Sequence, residues 1–225
     1  MDNRNAVWRH VDGQAERLIA LSERVWGLPE VCYTEARSCA EHVAELRHQG
    51  FRVTEAVAGI PTAVMGEAGA GGPVIAFLGE YDALPGLSQE AGVAEHRPVE
   101  AGGHGHGCGH NLLGAAALLA ATAVKDWLAE TGTPGRVRYY GCPAEEGGAA
   151  KAFMVRAGAF ADADIAISWH PASFWEVAPP AALANTRADF TFTGRTAHAA
   201  AAPHLIRAGA EASPGVVRRV QTLGS

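Results

Sequence analysis

The chain has 225 residues, 48% hydrophobic and 19% charged, with a formal net charge of −6. That length buries a real core, as one large domain or one domain plus part of another. A net acidic chain offers no basic face, so neither nucleic acid nor an anionic membrane is expected as a partner.

The N-terminus, MDNRNAVWRHVDGQ, is polar and lacks the apolar core and small-residue cleavage site of a secretory signal. No stretch approaches the roughly 18 uninterrupted apolar residues of a spanning helix, so a soluble, cytoplasmic protein is expected. The cysteines Cys32, Cys39, Cys108 and Cys142 include no Cys-x-x-Cys pair. Without an export signal a disulfide framework is not expected. Cys32, Cys39 and Cys142 read as buried thiols.

In chain order, apolar residues at Val7, Trp8, Val11, Leu18, Leu21, Val25 and Trp26 lie close to a helical stripe. A second helix is expected over 35–49, from Ala36, Ala40, Val43 and Leu46, with Gly50 as its stop. Strands are expected at 51–57, 62–66 and 74–79. The last, VIAFLG, reads as buried on both faces. A Gly-, His-, Pro- and Glu-rich loop over 83–109 is long enough to be either functional or disordered. Then follow a helix over 111–130, a strand GRVRYYG at 135–141, a helix over 148–158 and a short buried strand at 165–169. This alternation predicts an α/β class with a mixed, largely parallel sheet flanked by helices. The first domain is expected over 1–185. At about 186 the character changes to an alternating strand, ADFTFTG, that reads as the start of a second, α+β domain over 186–225.

Chemistry concentrates in a few places. In GGHGHGCGHN (102–111), His104, His106, Cys108 and His110 are spaced by glycines, which allow tight bends around a ligand. Imidazole and thiolate are favoured donors for zinc-like ions. The position at a helix start would favour a thiolate at Cys108. A flexible surface loop with fortuitous histidines is the plain alternative. Pro143-Ala144-Glu145-Glu146-Gly147-Gly148 places adjacent carboxylates past a buried strand, where open α/β sheets hold ligands. They repel unless a cation or proton relieves them; acids at a helix N-terminus are the common alternative. His170 in SWHP and Asp82 in GEYDALP also follow strands, and each alone fits a structural histidine or a turn. Gly194-Arg195-Thr196-Ala197-His198 alone fits a strand-to-helix turn. No nucleophile elbow, H-E-x-x-H helix or Walker loop occurs. A structural Cys/His module would close a four-ligand site, whereas the adjacent Glu pair argues for an open one.

Taken together, EYDALPG (80–86), GHGCGHNLLG (105–114), PAEEGG (143–148), ISWHP (167–171) and GRTAHAAAAPH (194–204) resemble the co-catalytic zinc aminoacylase/carboxypeptidase family of metallopeptidases, in its amidohydrolase branch. The insertion LSQEAGVAEHRPVEAGG is similar to that of the p-aminobenzoyl-glutamate hydrolase B-subunit group, and a neighbouring Xaa-Arg dipeptidase-like group shares EYDALPG and CGHN. The resemblance implies a zinc-exopeptidase-like catalytic domain with a lid and dimerisation domain. It implies two divalent metal ions, Zn or Mn, held by Cys108, His110, Glu146 and His170. Glu145 would be the general base, Asp82 would support a ligand and Glu80 would lie near the metals. His198 would reach from the lid into a partner protomer's site. The implied reaction is hydrolysis of the amide of an N-acyl amino acid, p-aminobenzoyl-glutamate first, with a Xaa-Arg-type dipeptide as alternative. A homodimer and an A-subunit partner are implied in the same way. Family members are considerably longer, and the tail from about 205 does not continue their pattern. The chain therefore also reads as a truncated fragment that at most binds metal.

Overall fold

The computed structural model describes residues 3–173 and 177, and all of these but Val177 belong to one compact unit. The expected second domain over 186–225, with His198, lies outside the described residues.

Helix α1 spans Asn3–Trp26 and α2 spans Ala36–His48. Leu18, Leu21 and Val25 of α1, and Cys39, Val43 and Leu46 of α2, recur at helical spacing and are all buried. Gly50, at φ 78°, ends α2 as expected. Strands β1 (Arg52–Glu55), β2 (Val64–Ala70) and β3 (Val74–Gly79) follow. The second half of the domain holds α3 (His110–Thr131), β4 (Gly135–Gly141), the single helical turn α4 (Glu145–Gly148), α5 (Ala150–Arg156) and β5 (Ile165–Ile167).

The five strands form one sheet in the order β1-β2-β4-β3-β5. The pairs β1/β2 and β2/β4 are antiparallel; β3/β4 and β3/β5 are parallel. Strands β3, β4 and β5 therefore end at one edge, and the crossover from β3 to β4 carries the N-terminus of α3 to that edge. Side chains alternate across the sheet. Tyr139 joins the larger core with Leu18, Leu21, Leu46, Phe77, Leu118 and Val137, whereas Tyr140 faces the smaller core with Ala63, Ala76, Cys142 and Met154. Each fully buried Leu or Met contributes about 1.5–3 kcal/mol of transfer free energy.

Helix α3 is long and apolar enough to cross a membrane, but here its apolar faces pack on α1, β3 and β4. Its residue Gly114 makes the close approach possible. A Cβ there would collide with the Glu80 carbonyl oxygen and the His42 ring.

Three expectations need correction. The helix expected over 148–158 is broken at Ala149, which adopts left-handed φ 49°, ψ 45° between α4 and α5. The last strand is exposed rather than buried: Ile165 and Ile167 are 51% and 44% accessible. Among the described residues, strand β5 pairs with β3 alone and is the last strand of the sheet. Cys39 and Cys142 are buried but Cys32 is only partly so, and none of the four cysteines forms a disulfide. The long loop over 83–109 is folded on itself. Leu84 bridges Gly105, and the Gln89 side chain bonds the backbone of Val93, Glu95 and Arg97.

Candidate active site

Of the residues singled out in the first domain, Glu80, Asp82, Cys108, His110, Glu145, Glu146 and His170 converge at the carboxyl edge of β3, β4 and β5. Asp82, two residues beyond Glu80 at the end of β3, is almost fully buried. Its Oδ1 accepts from His110 Nδ1 at 2.9 Å and its Oδ2 accepts from the Glu146 N–H at 3.0 Å. One carboxylate thus aims the first residue of α3 and fixes the start of the Glu145–Glu146 turn. In the neutral ring, Nδ1 donating to Asp82 leaves the lone pair on the other nitrogen of His110.

That nitrogen, Nε2, is buried without a hydrogen-bond partner. It lies 3.0 Å from Glu80 Oε2 and 3.9 Å from both Glu145 Oε2 and Glu146 Oε1. Glu146 Oε1 is likewise buried and unpartnered. Cys108 Sγ lies 3.1 Å from His170 Nε2, and the His110 and His170 rings stand edge to face with centroids 6.3 Å apart. The end of β5 is tied to α3 by Trp169, whose Nε1 donates to the Leu113 carbonyl at 3.2 Å.

The electrostatics run one way. Burial pushes the Cys108 thiol up to about 12, reinforced by Glu146, Glu145 and Glu80. This runs against the expectation of a helix-favoured thiolate: burial first, and then the nearby carboxylates, disfavour the charged form when no cation intervenes. Burial also raises the Glu145 carboxyl, with Glu80 adding to it. Burial pulls His110 down, but the bond to Asp82 and the surrounding acids outweigh it and its pKa is raised. The site's cationic side chain is Lys151 of α5, ion-paired with Glu80.

Four carboxylates and a thiol around unpartnered buried donor atoms are a set that a cation would complete. Cys108, His110 and His170 offer donor atoms within 4.8 Å of one another, and so do Glu80, His110 and Glu145. The mixture of N, S and O donors fits a zinc-like divalent ion, so the residues present suit the metal that the motifs imply. Glu145 is the more open of the acid pair, its side chain 43% accessible against 20% for Glu146.

Not all of the Cys/His loop takes part. His106 is turned into the core, 5% accessible, with Nε2 3.0 Å from the Val25 carbonyl and its ring beside Trp26. Burial lowers its pKa. His104 belongs to neither donor group. Lys151 lies outside the motifs, although a lone cation in the otherwise apolar AKAFMV, just after the acid pair, is a usable signal.

Residues 76–219 match peptidase family M20/M25/M40. Over 211 residues the chain is 50% identical to the p-aminobenzoyl-glutamate hydrolase B-subunit of Escherichia coli, covering 92% of this chain and 44% of that protein. It is 34% identical to the Xaa-Arg dipeptidase of Mus musculus, covering 86% of this chain and 43% of that protein. Among solved structures, a dinuclear metal-binding M20 peptidase of Bacillus subtilis, the YXEP protein, superposes with a TM-score of 0.58 at 24% identity. It covers 69% of this chain and 42% of that one. The chain thus spans less than half the length of the curated relatives it matches. With more than half its residues matching, the chain belongs to peptidase family M20/M25/M40.

Proposed function

We propose that this chain carries the catalytic centre of a metal-dependent amidohydrolase that cleaves an N-acyl amino acid. p-Aminobenzoyl-glutamate is the first substrate to test, as the E. coli relative's name suggests. The observation that carries the reading is the buried, unpartnered Nε2 of His110 facing three carboxylates.

In this reading Cys108, His110, Glu146 and His170 hold two divalent ions, for which the cysteine favours zinc over manganese. Bound there, the ions supply Lewis acidity toward a water and the scissile carbonyl. Glu145, raised in pKa and open to solvent, takes a proton from the attacking water and passes it to the leaving amide nitrogen. Asp82 keeps His110 in one tautomer and holds the backbone of Glu146, so ligand and base share a common support. His198, by resemblance, acts from a lid toward a partner protomer, in a homodimer. The E. coli relative is named as one component of a multi-component hydrolase, which supports a further A-type partner.

Elemental analysis of the purified chain, with release of p-aminobenzoate measured on the same sample, tests this. About two metals per chain are expected, with Glu145→Gln keeping the metal and losing turnover by about a thousandfold. Hydrolysis of a Xaa-Arg dipeptide in place of the aryl amide would move the substrate to the other relative's class. Metal without turnover of either would leave metal binding as the chain's own activity.

A further inference from the structure

Glu35 occupies the position that begins α2, where a polar side chain ordinarily accepts from the helix's free N–H groups. It makes no such bond. That duty falls to Glu30, whose carboxylate accepts from the N–H groups of Ser38 at 2.8 Å and Arg37 at 3.2 Å. The Glu35 side chain instead turns inward and is fully buried. Its Oε1 accepts from the Tyr33 N–H at 2.9 Å and the Ala144 N–H at 2.8 Å, while Oε2 is buried without a hydrogen-bond partner. An acid is costly to bury unless its bonds compensate, and helix capping does not account for this one.

What it holds does. Ala144 adopts φ 55°, ψ 40°, the left-handed region that an alanine rarely enters, and it directly precedes Glu145. Its backbone sets the direction in which the acid pair leaves β4. The segment over 30–35 also grips the other catalytic loop: the Glu30 carbonyl accepts from the Ala83 N–H at 2.8 Å, beside Asp82, and Val31 bridges Ala83. Beyond the acid pair, the Tyr33 hydroxyl donates to the Gly148 carbonyl at 2.8 Å. A Cβ at Gly148 would strike Tyr33, Cys32 and Ala144. The segment is a strut across both loops.

We propose that Glu35 is a positioning residue, its buried carboxylate clamping the Ala144 N–H so that Glu145 and Glu146 stay aimed at His110. The kinetic consequence rests on the hydrolase reading, whereas the clamp rests on geometry alone. The test uses the full 225-residue chain with Glu35→Leu, Glu35→Gln and Glu35→Asp, read by amide hydrogen exchange and by steady-state kinetics on p-aminobenzoyl-glutamate. Glu35→Leu, with no acceptor, should raise exchange at Ala144 by about tenfold or more while core amides such as Leu21 stay protected. It should lower kcat by about a hundredfold with little change in KM. Gln retains an acceptor oxygen and should restore both to within about threefold of wild type. Asp keeps the charge but falls one methylene short, so it should itself raise exchange at Ala144 and lower kcat, which keeps the test decisive should the Leu variant fail to fold. Unchanged exchange at Ala144, exchange that rises equally throughout the core, or a Gln variant as impaired as the Asp variant would each overturn the clamp. A wild-type chain without turnover would instead remove the hydrolase reading, and the exchange measurement would still decide the clamp.

Discussion

Two places in this domain gather acids around a buried charge, and they settle that charge in opposite ways. On β2 and β4, Glu67 and Arg138 are directly opposed in the strand register. Arg138 donates to Glu67 and, through both terminal nitrogens, to Asp162 at 2.6 and 2.7 Å, while Arg52 also pairs with Glu67. These guanidinium bonds hold Asp162 down to about 2 and raise Arg138 above its usual range. At the carboxyl edge, Glu80, Asp82, Glu145 and Glu146 surround His110 with Lys151 as the cationic side chain, and donor atoms stay unpartnered. The first cluster is closed and pins the segment after α5 to the sheet. The second has negative charge in excess, as a cation site does.

The contrast can be broken most sharply by kinetics. Glu145→Gln should abolish about three orders of magnitude of turnover while leaving or raising the thermal midpoint, since it relieves repulsion. An equal loss of stability would mean that the acid pair is structural. Next, Arg138→Met should remove the buried partner of Glu67, leaving it Arg52, and lower unfolding free energy by about 1–3 kcal/mol in a urea titration. Its metal content should match wild type; a loss of metal would show that the two clusters are coupled. Asp82→Asn should weaken metal affinity by about 10- to 100-fold in a chelator competition, with the Arg138 cluster intact.

The smallest effect expected is that of pH on Asp162. Its folded pKa is depressed to about 2 from an ordinary 3.8. Its contribution is therefore complete above the unfolded value and fades as pH falls from about 4 toward 2. The urea midpoint of wild type should drop more than that of Asp162→Asn between pH 5 and pH 3. Equal slopes would mean the exposed pair is worth nothing measurable.

Much of this is legible in the sequence because the signals are local. Strand β4 can be read with its observed bounds, since glycines close GRVRYYG at both ends. Cys108, His110 and the acid pair stand out because such donors rarely crowd together by chance. The break at Ala149 is not legible: alanine is a good helix former, and only the packing of Tyr33 and Cys32 on Gly148 accompanies the left-handed turn. Glu35 looks like any acid at a helix start, and its partner lies 109 residues away. The exposure of β5 depends on what lies beside it in the sheet, which a run of Ile-Ala-Ile does not encode. Likewise His106 resembles His110 in sequence, and contacts distant in the chain separate them: the Val25 carbonyl for one, Asp82 and Glu80 for the other.

The strand order has a consequence for how this chain reaches its native state. Strands β2 and β3 are nearly consecutive, yet they do not pair, because β4 inserts between them. Until that later segment emerges, both strands carry open backbone ladders on the sides that β4 will cover. Non-local pairing of this kind slows folding and leaves aggregation-prone edges in the meantime. The central strand of the sheet is therefore also its lock: the half-made chain is the vulnerable species, and chaperone demand should peak before β4 leaves the ribosome.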